Sequence, residues 1–112
     1  MLKKALKLNR KELGLFYKKK SFLKKCDFIT LRFARNKRAG TKFAFIVSGP
    51  KKSAVPRNLT RRRMSEIVRV RINSFPEGLD AVFFFKMDKT KKAPKFKDLK
   101  KDINNVISSF SI

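Results

Sequence analysis

Residues 53–69, SAVPRNLTRRRMSEIVR, carry five arginines with apolar residues recurring between them at helical spacing. With each residue turning the helix by about 100°, one arc holds Arg57, Asn58, Arg61, Arg62, Ser65 and Arg69. The opposite arc holds Leu59, Thr60, Met64, Ile67 and Val70, whereas Arg63 and Val68 fall outside this division. We therefore expect an amphipathic helix, from Pro56 or Arg57 to Arg71, that docks one side on a core and turns arginines outward.

Charge limits what such a helix can face. The chain of 112 residues has 31 Lys and Arg against 8 Asp and Glu, a net charge of +23. Like charge at this density opposes folding, and a polyanion would offset that cost. A run of arginines on a helix is usually a solvated face, but the net charge and the one-sided arc favour nucleic acid as partner, with an anionic membrane surface second.

Other residue types exclude several classes of protein. A hydrophobic content of 42% with twelve Phe predicts one folded domain over residues 1–112. Cys26 is the only cysteine and there is no His, so neither an internal disulfide nor a four-ligand zinc site can form within one chain. The acids are too scattered for a metal-dependent nuclease. No apolar run suits a signal peptide or a membrane span, so we expect a cytoplasmic protein that does not insert into membranes.

Hydrophobic periodicity predicts an α+β layer sandwich in the order α-β-β-α-β-α. Asn9 and Glu12 form a potential capping box at the start of the first helix. The predicted elements are a helix at 9–19, a connector with a possible short strand at 18–25, a strand at 27–34, a hairpin to its partner strand at 42–48, the arginine-rich helix, a strand at 79–85 covered on both faces, and a helix at 95–109.

The segment VSGPKKSAVPRNLTRRRMSEIVR, residues 47–69, resembles the signature of the bacterial ribonuclease P protein family. The residues in register are Val47, Ser48, Ala54, Val55, Arg57, Asn58, Arg61, Arg62, Glu66 and Arg69. The chain departs from that signature at Leu59 and Ser65, where the family has Arg. Gly49 and Pro50 displace the family's lysine pair to Lys51 and Lys52. The order of predicted elements agrees over nearly the whole chain.

The resemblance implies a protein subunit of ribonuclease P, in which a catalytic RNA with bound Mg²⁺ cuts precursor tRNA to form the mature 5′ end. The protein is then not the chemical catalyst. The implied fold is ribosomal-protein-S5-domain-2-like, with a left-handed β-α-β crossover that departs from the usual right-handed rule. The expected contacts to the catalytic RNA are Arg57, Asn58, Arg61, Arg62, Arg69, Lys51 and Lys52.

In this family a cleft between the first helix and the sheet holds the single-stranded 5′ leader of precursor tRNA. Basic grooves with aromatic platforms bind single strands, and the expected leader contacts are Phe16, Tyr17, Lys20, Phe28 and Arg32. Two alternatives exist for the first strand. Alternation makes the face of Phe28, Thr30 and Arg32 the ligand side, whereas the family alignment favours the face of Leu31. For each aromatic residue, core packing is the competing interpretation.

The main alternative function is a ribosomal or other structural RNA-binding protein, since many of these are small and basic. The partner distinguishes the two hypotheses: the first predicts stimulated cleavage of precursor tRNA, the second sedimentation with ribosomal subunits. A membrane-surface protein would instead need an apolar helix face left open to lipid.

Overall fold

In the part of the chain that the structure describes, three α-helices, a short 3-10 helix (Ile72–Ser74) and a four-stranded sheet make up the fold. The structure is a computed structural model and describes residues 7–36, 40–49, 54–87 and 94–110. The elements are α1 (Arg10–Lys18), β1 (Phe22–Lys25), β2 (Ile29–Arg35), β3 (Lys42–Ser48), α2 (Ala54–Val70), β4 (Leu79–Lys86) and α3 (Phe96–Phe110). The α+β class is confirmed, and the possible short strand in the connector is β1. Within the described ranges, no helix is long and apolar enough to cross a bilayer.

The sheet order is β1-β2-β4-β3, so the predicted hairpin between residues 27–34 and 42–48 is wrong. β4 lies between the two strands, antiparallel to β2 and parallel to β3. Phe83 of β4 pairs with Leu31 on one side and Phe45 on the other. The physical reason is that β4 is apolar on both faces, which suits the centre of the sheet. The parallel pairing makes β3-α2-β4 a crossover connection, and its left-handed sense stays a prediction.

Alternate residues of β4 supply two cores on opposite faces of the sheet. Phe83 lies fully buried against α2 and α3, in the larger core. Val82 belongs to a smaller core under α1, together with Phe16 and Ala34. The prediction that this strand is covered on both faces is therefore confirmed. Burying one such side chain stabilises the fold by about 1.5–3 kcal/mol.

The arginine-rich helix α2 is rotated from its predicted orientation. Its buried residues are Thr60, Met64, Ser65, Ile67 and Val68. Ser65 was expected on the polar arc, and Val68 was expected outside the apolar arc. Val70 was expected to face inward but is 67% exposed. The reason is the position of the larger core, which takes in Val68 together with side chains of α3, so the buried arc turns away from Val70 and toward Ser65.

Candidate nucleic-acid interface

A capping box starts α1, and contacts at its first turn attach it to β3. The Asn9 side chain accepts a hydrogen bond from the Glu12 backbone N–H at 2.7 Å, and Glu12 Oε1 accepts one from the Asn9 N–H at 3.1 Å. This capping box matches the sequence prediction. Glu12 Oε2 also pairs with Lys42 Nζ at 2.8 Å, joining α1 to β3. Just before α1, the Leu8 N–H donates to the Phe43 carbonyl at 2.8 Å, so the chain runs along the edge of β3.

A groove of about 530 Å³ opens between α1, the edge strand β3 and α2. Its apolar part comes from Leu8 and Leu13 on one side and from Ala44 and Ile46 of β3. Its polar wall is the middle of α2, namely Asn58, Arg61, Arg62 and Ser65. The groove therefore combines an apolar floor with two guanidinium groups, a combination suited to a base and its phosphates.

The predicted RNA contacts near the groove on α2 differ in how exposed their side chains are. Arg62 and Asn58 are exposed, and Arg57 and Arg61 are half-buried. The Arg61 guanidinium donates to the Asn58 side-chain oxygen, which orients both groups at the groove. Arg57 and Asn58 lie in the first turns of α2, near the helix N-terminus, whose N–H groups also attract anions. Lys51 and Lys52 lie outside the described residues.

Arg69 and Arg63 differ from the arginines at the groove. Arg69 is exposed on the last turn of α2, and its Nε donates to Glu66 Oε1 at 3.0 Å. This bond lowers the pKa of Glu66 and raises the pKa of Arg69, so both groups stay charged. Arg63 Nη1 instead donates to the Pro94 carbonyl at 2.6 Å, so this arginine fastens α2 to the segment before α3.

The orientation of β2 decides between the two faces considered for the leader. Leu31 is fully buried in the core with α2 and α3, so the alignment-based alternative is wrong. Alternation then turns Thr30 and Arg32 to the side of α1. Tyr17 of α1 is 46% exposed, and burial raises its pKa while the nearby Arg32 charge opposes that shift. Tyr17 and Arg32 therefore lie beside one another on the α1 side of the sheet.

Of the other expected leader contacts, two are exposed and one is buried. Phe28 is 49% exposed and Lys20 is exposed. Phe16 is only 1% exposed and packs on Ala34 and Val82. The structure thus gives Phe16 a packing role between α1 and the sheet. Successive residues of a helix are about 100° apart, so Tyr17 is turned away from the sheet when Phe16 faces it.

Sequence reasoning missed the apolar floor of the groove. Leu13 and Phe16 lie at helical spacing in α1, but nothing in this local pattern indicates that part of their apolar face stays accessible. Leu8, Ala44 and Ile46 carry no distinguishing signal, because the groove forms only when α1, β3 and α2 meet. In the part of the chain that the structure describes, no three His, Cys, Asp or Glu side chains lie close enough together to hold a metal ion.

Fold and site together define a small, strongly basic α+β domain with an arginine-walled groove, the class to which many nucleic-acid-binding modules belong. Solved structures share the fold. The ribonuclease P protein from Thermotoga maritima superposes with a TM-score of 0.72 at 20% identity, covering 90% of this chain and 94% of that one. A mutant ribonuclease P protein from Staphylococcus aureus gives 0.74 at 17% identity, covering 96% and 90%.

Sequence comparison gives the family. The family model Ribonuclease P matches residues 2–111, so the chain belongs to the ribonuclease P protein family. The ribonuclease P protein component of Pelotomaculum thermopropionicum is 39% identical over 62 residues, which is 55% of each chain. That of Chloroflexus aggregans is 36% identical over 76 residues, 68% of this chain and 56% of the relative. The matched segments thus span little more than half the length of these curated relatives.

Proposed function

We propose that this chain is the protein component of ribonuclease P, which binds a catalytic RNA and the 5′ leader of precursor tRNA to assist 5′ maturation. The observation that carries the proposal is the groove in which Asn58, Arg61 and Arg62 face an apolar floor. Membership of the family supplies the partner that this groove would serve.

The α2 wall is assigned to the catalytic RNA. A guanidinium fork matches two phosphate oxygens at once, and Arg62 is exposed for such a contact. Arg61 is held by Asn58, so less side-chain freedom is lost when it binds. Each phosphate neutralised also releases condensed counterions, which makes the binding steeply dependent on salt.

The α1 side of the sheet is assigned to the leader. Tyr17 offers an exposed ring, and Arg32 beside it offers a charge for the neighbouring phosphate. Phe28 supplies a second half-exposed ring before the start of β2. Base stacking on such rings tolerates any sequence, which a subunit that serves many precursor tRNAs requires.

The cleavage chemistry is assigned to the RNA. Mg²⁺ enters this proposal through that RNA partner, as the family resemblance implies, and the protein contributes binding and charge neutralisation. We place the activity in the cytoplasm, where a lone thiol such as Cys26 stays reduced.

Reconstitution tests this function directly. The purified chain is added to a bacterial ribonuclease P RNA at low Mg²⁺, and cleavage of precursor tRNA is followed. We expect stimulation comparable to that given by the Thermotoga maritima protein in the same assay. Failure to stimulate, with the Thermotoga protein active, would overturn the proposal, and co-sedimentation with ribosomal subunits would favour a ribosomal role instead.

A further inference from the structure

An aromatic pair lies on the sheet face opposite Tyr17, at the outer edge of the molecule. Phe22 of β1 pairs with Phe33 of β2, and their rings stack with centroids 5.6 Å apart and an interplanar angle of 27°. Phe22 is 66% exposed, the most exposed large aromatic side chain that the structure describes. All four residues of β1 are exposed, so neither α1 nor α3 covers this strand.

Alternation and register fix which face carries this pair. Lys24, two residues after Phe22, pairs with Leu31, and Leu31 is buried on the α3 side of the sheet. Arg35, two residues after Phe33, shares that face and is exposed. We call Phe22, Phe33, Lys24 and Arg35 the Phe22 platform. It lies on the opposite face of the sheet from Tyr17 and Arg32.

The chemistry of the platform favours one occupant. Residues 18–35 contain seven Lys or Arg and one acidic residue, Asp27. An exposed ring flanked by cations matches a nucleobase with phosphates on either side. A duplex keeps its bases stacked within itself, so the ring suits a single strand. A second copy of this chain would bring another net charge of +23 and be repelled.

We propose that the Phe22 platform stacks a base of single-stranded RNA while Lys24 and Arg35 contact the adjoining phosphates. The proposal rests on the proposed function and adds a second single-strand contact, separate from the Tyr17 surface. The strand comes from the precursor leader or from an unpaired segment of the catalytic RNA, and both offer the same chemistry.

The test measures binding of fluorescein-labelled oligouridylate by anisotropy at fixed salt. Phe22→Ala should weaken binding roughly fivefold or more, whereas Phe22→Tyr, which keeps the ring, should stay within about twofold. Phe22→Leu keeps an apolar cover over Phe33 but removes the ring, and it should behave like Phe22→Ala. Phe96→Ala, which removes a half-exposed ring of α3, is the matched control and should bind like wild type.

Because the Tyr17 surface and the platform lie on opposite faces and share no contact, Tyr17→Ala and Phe22→Ala should act independently, and the double variant should bind more weakly than either single variant. Separate titrations with leader-bearing precursor tRNA, leaderless tRNA and the catalytic RNA alone identify the source of the strand. Melting curves confirm that each variant is folded.

Equal oligouridylate affinity for wild type, Phe22→Leu and Phe22→Tyr would overturn the platform. A concentration-dependent mass in sedimentation that Phe22→Leu abolishes would also overturn it, since the ring would then join two copies. Failure of wild type to stimulate the catalytic RNA would reject the proposed function instead, and this result is distinct from either platform outcome.

Discussion

Asp102 Oδ2, on α3, accepts a hydrogen bond from the Ile29 backbone N–H at 2.9 Å, at the first residue of β2. The same oxygen accepts the Phe28 N–H at 2.6 Å, and Asp102 is 1% exposed. One buried carboxylate thus ties the last helix to the strand that starts beside Phe28.

Asp102→Ala should destabilise the fold by about 1.5–3 kcal/mol, because it removes the carboxylate that accepts the buried Ile29 N–H and the part-buried Phe28 N–H. Chemical denaturation measures the free energy of unfolding. Asp102→Asn retains an oxygen acceptor and should lose less. Equal stability of Asp102→Ala and wild type would show that these bonds contribute nothing.

Ile67→Asp and Val70→Asp test the rotation of α2. Ile67 is 3% exposed and Val70 is 67% exposed on the same helix. A buried aspartate without a partner should cost several kcal/mol or unfold the domain, whereas Val70→Asp should leave the melting temperature nearly unchanged. In thermal melts followed by circular dichroism, a loss from Val70→Asp as large as that from Ile67→Asp would restore the orientation expected from periodicity, which turned both residues inward.

Val68 is buried and Val70 is exposed, the opposite of what helical periodicity predicted for these two residues. Periodicity located α1, α2, β4 and α3, because each repeats its apolar residues at its own spacing. It could not place Val68, because that side chain is buried by α3, which lies far along the chain. The register of α2 on the core is a tertiary property.

The same limit explains the wrong hairpin and the incomplete site. A strand's local pattern states which faces are apolar but not which strand is its neighbour, so β4 could not be inserted between β2 and β3. The arginines of α2 were predicted from their arc, and Arg62 is exposed there. Leu8 and Leu13 could not be assigned to a groove, because three separate elements create it.

Arg61→Ala with Arg62→Ala should weaken binding to the catalytic RNA and lower the slope of log affinity against log salt by about 2. Filter binding over a salt series measures both quantities. Lys97→Ala with Lys101→Ala removes the same charge from exposed positions of α3 and is the control. Equal slopes for the two double variants would exclude α2 as a specific contact.

Tyr17→Ala should reduce affinity for precursor tRNA with a 5′ leader roughly fivefold or more, with little change for leaderless tRNA. Tyr17 is 46% exposed beside Arg32, so removing its ring should leave the fold intact. Tyr17→Phe keeps the stacking surface and should bind like wild type. Similar losses with both substrates would remove Tyr17 from the leader surface.

Cys26 should react slowly with alkylating reagents at neutral pH. Burial, followed by the nearby Asp102 charge, raises the pKa of its thiol, and Sγ lies 3.7 Å from the Asp102 carbonyl oxygen. The thiolate that reacts therefore forms only as pH rises past this elevated pKa. The folded state also holds the proton more tightly than the unfolded state, so this contribution to stability disappears at alkaline pH.

The rate of iodoacetamide modification between neutral and alkaline pH checks this prediction. In urea, where the thiol is solvated, the midpoint of the rate profile should fall to that of a small peptide thiol. Identical profiles for folded and unfolded protein would contradict the assigned environment.

The central place of β4 makes assembly of the sheet a late event in synthesis. A nascent chain that ends before Leu79 can pair β1 with β2, but β3 has no strand of the sheet beside it until residues 79–86 leave the ribosome. Until then the arginines of α2 are already made while their supporting layer is missing. We expect such truncated chains to bind RNA indiscriminately, so that selective binding begins only when the fourth strand arrives.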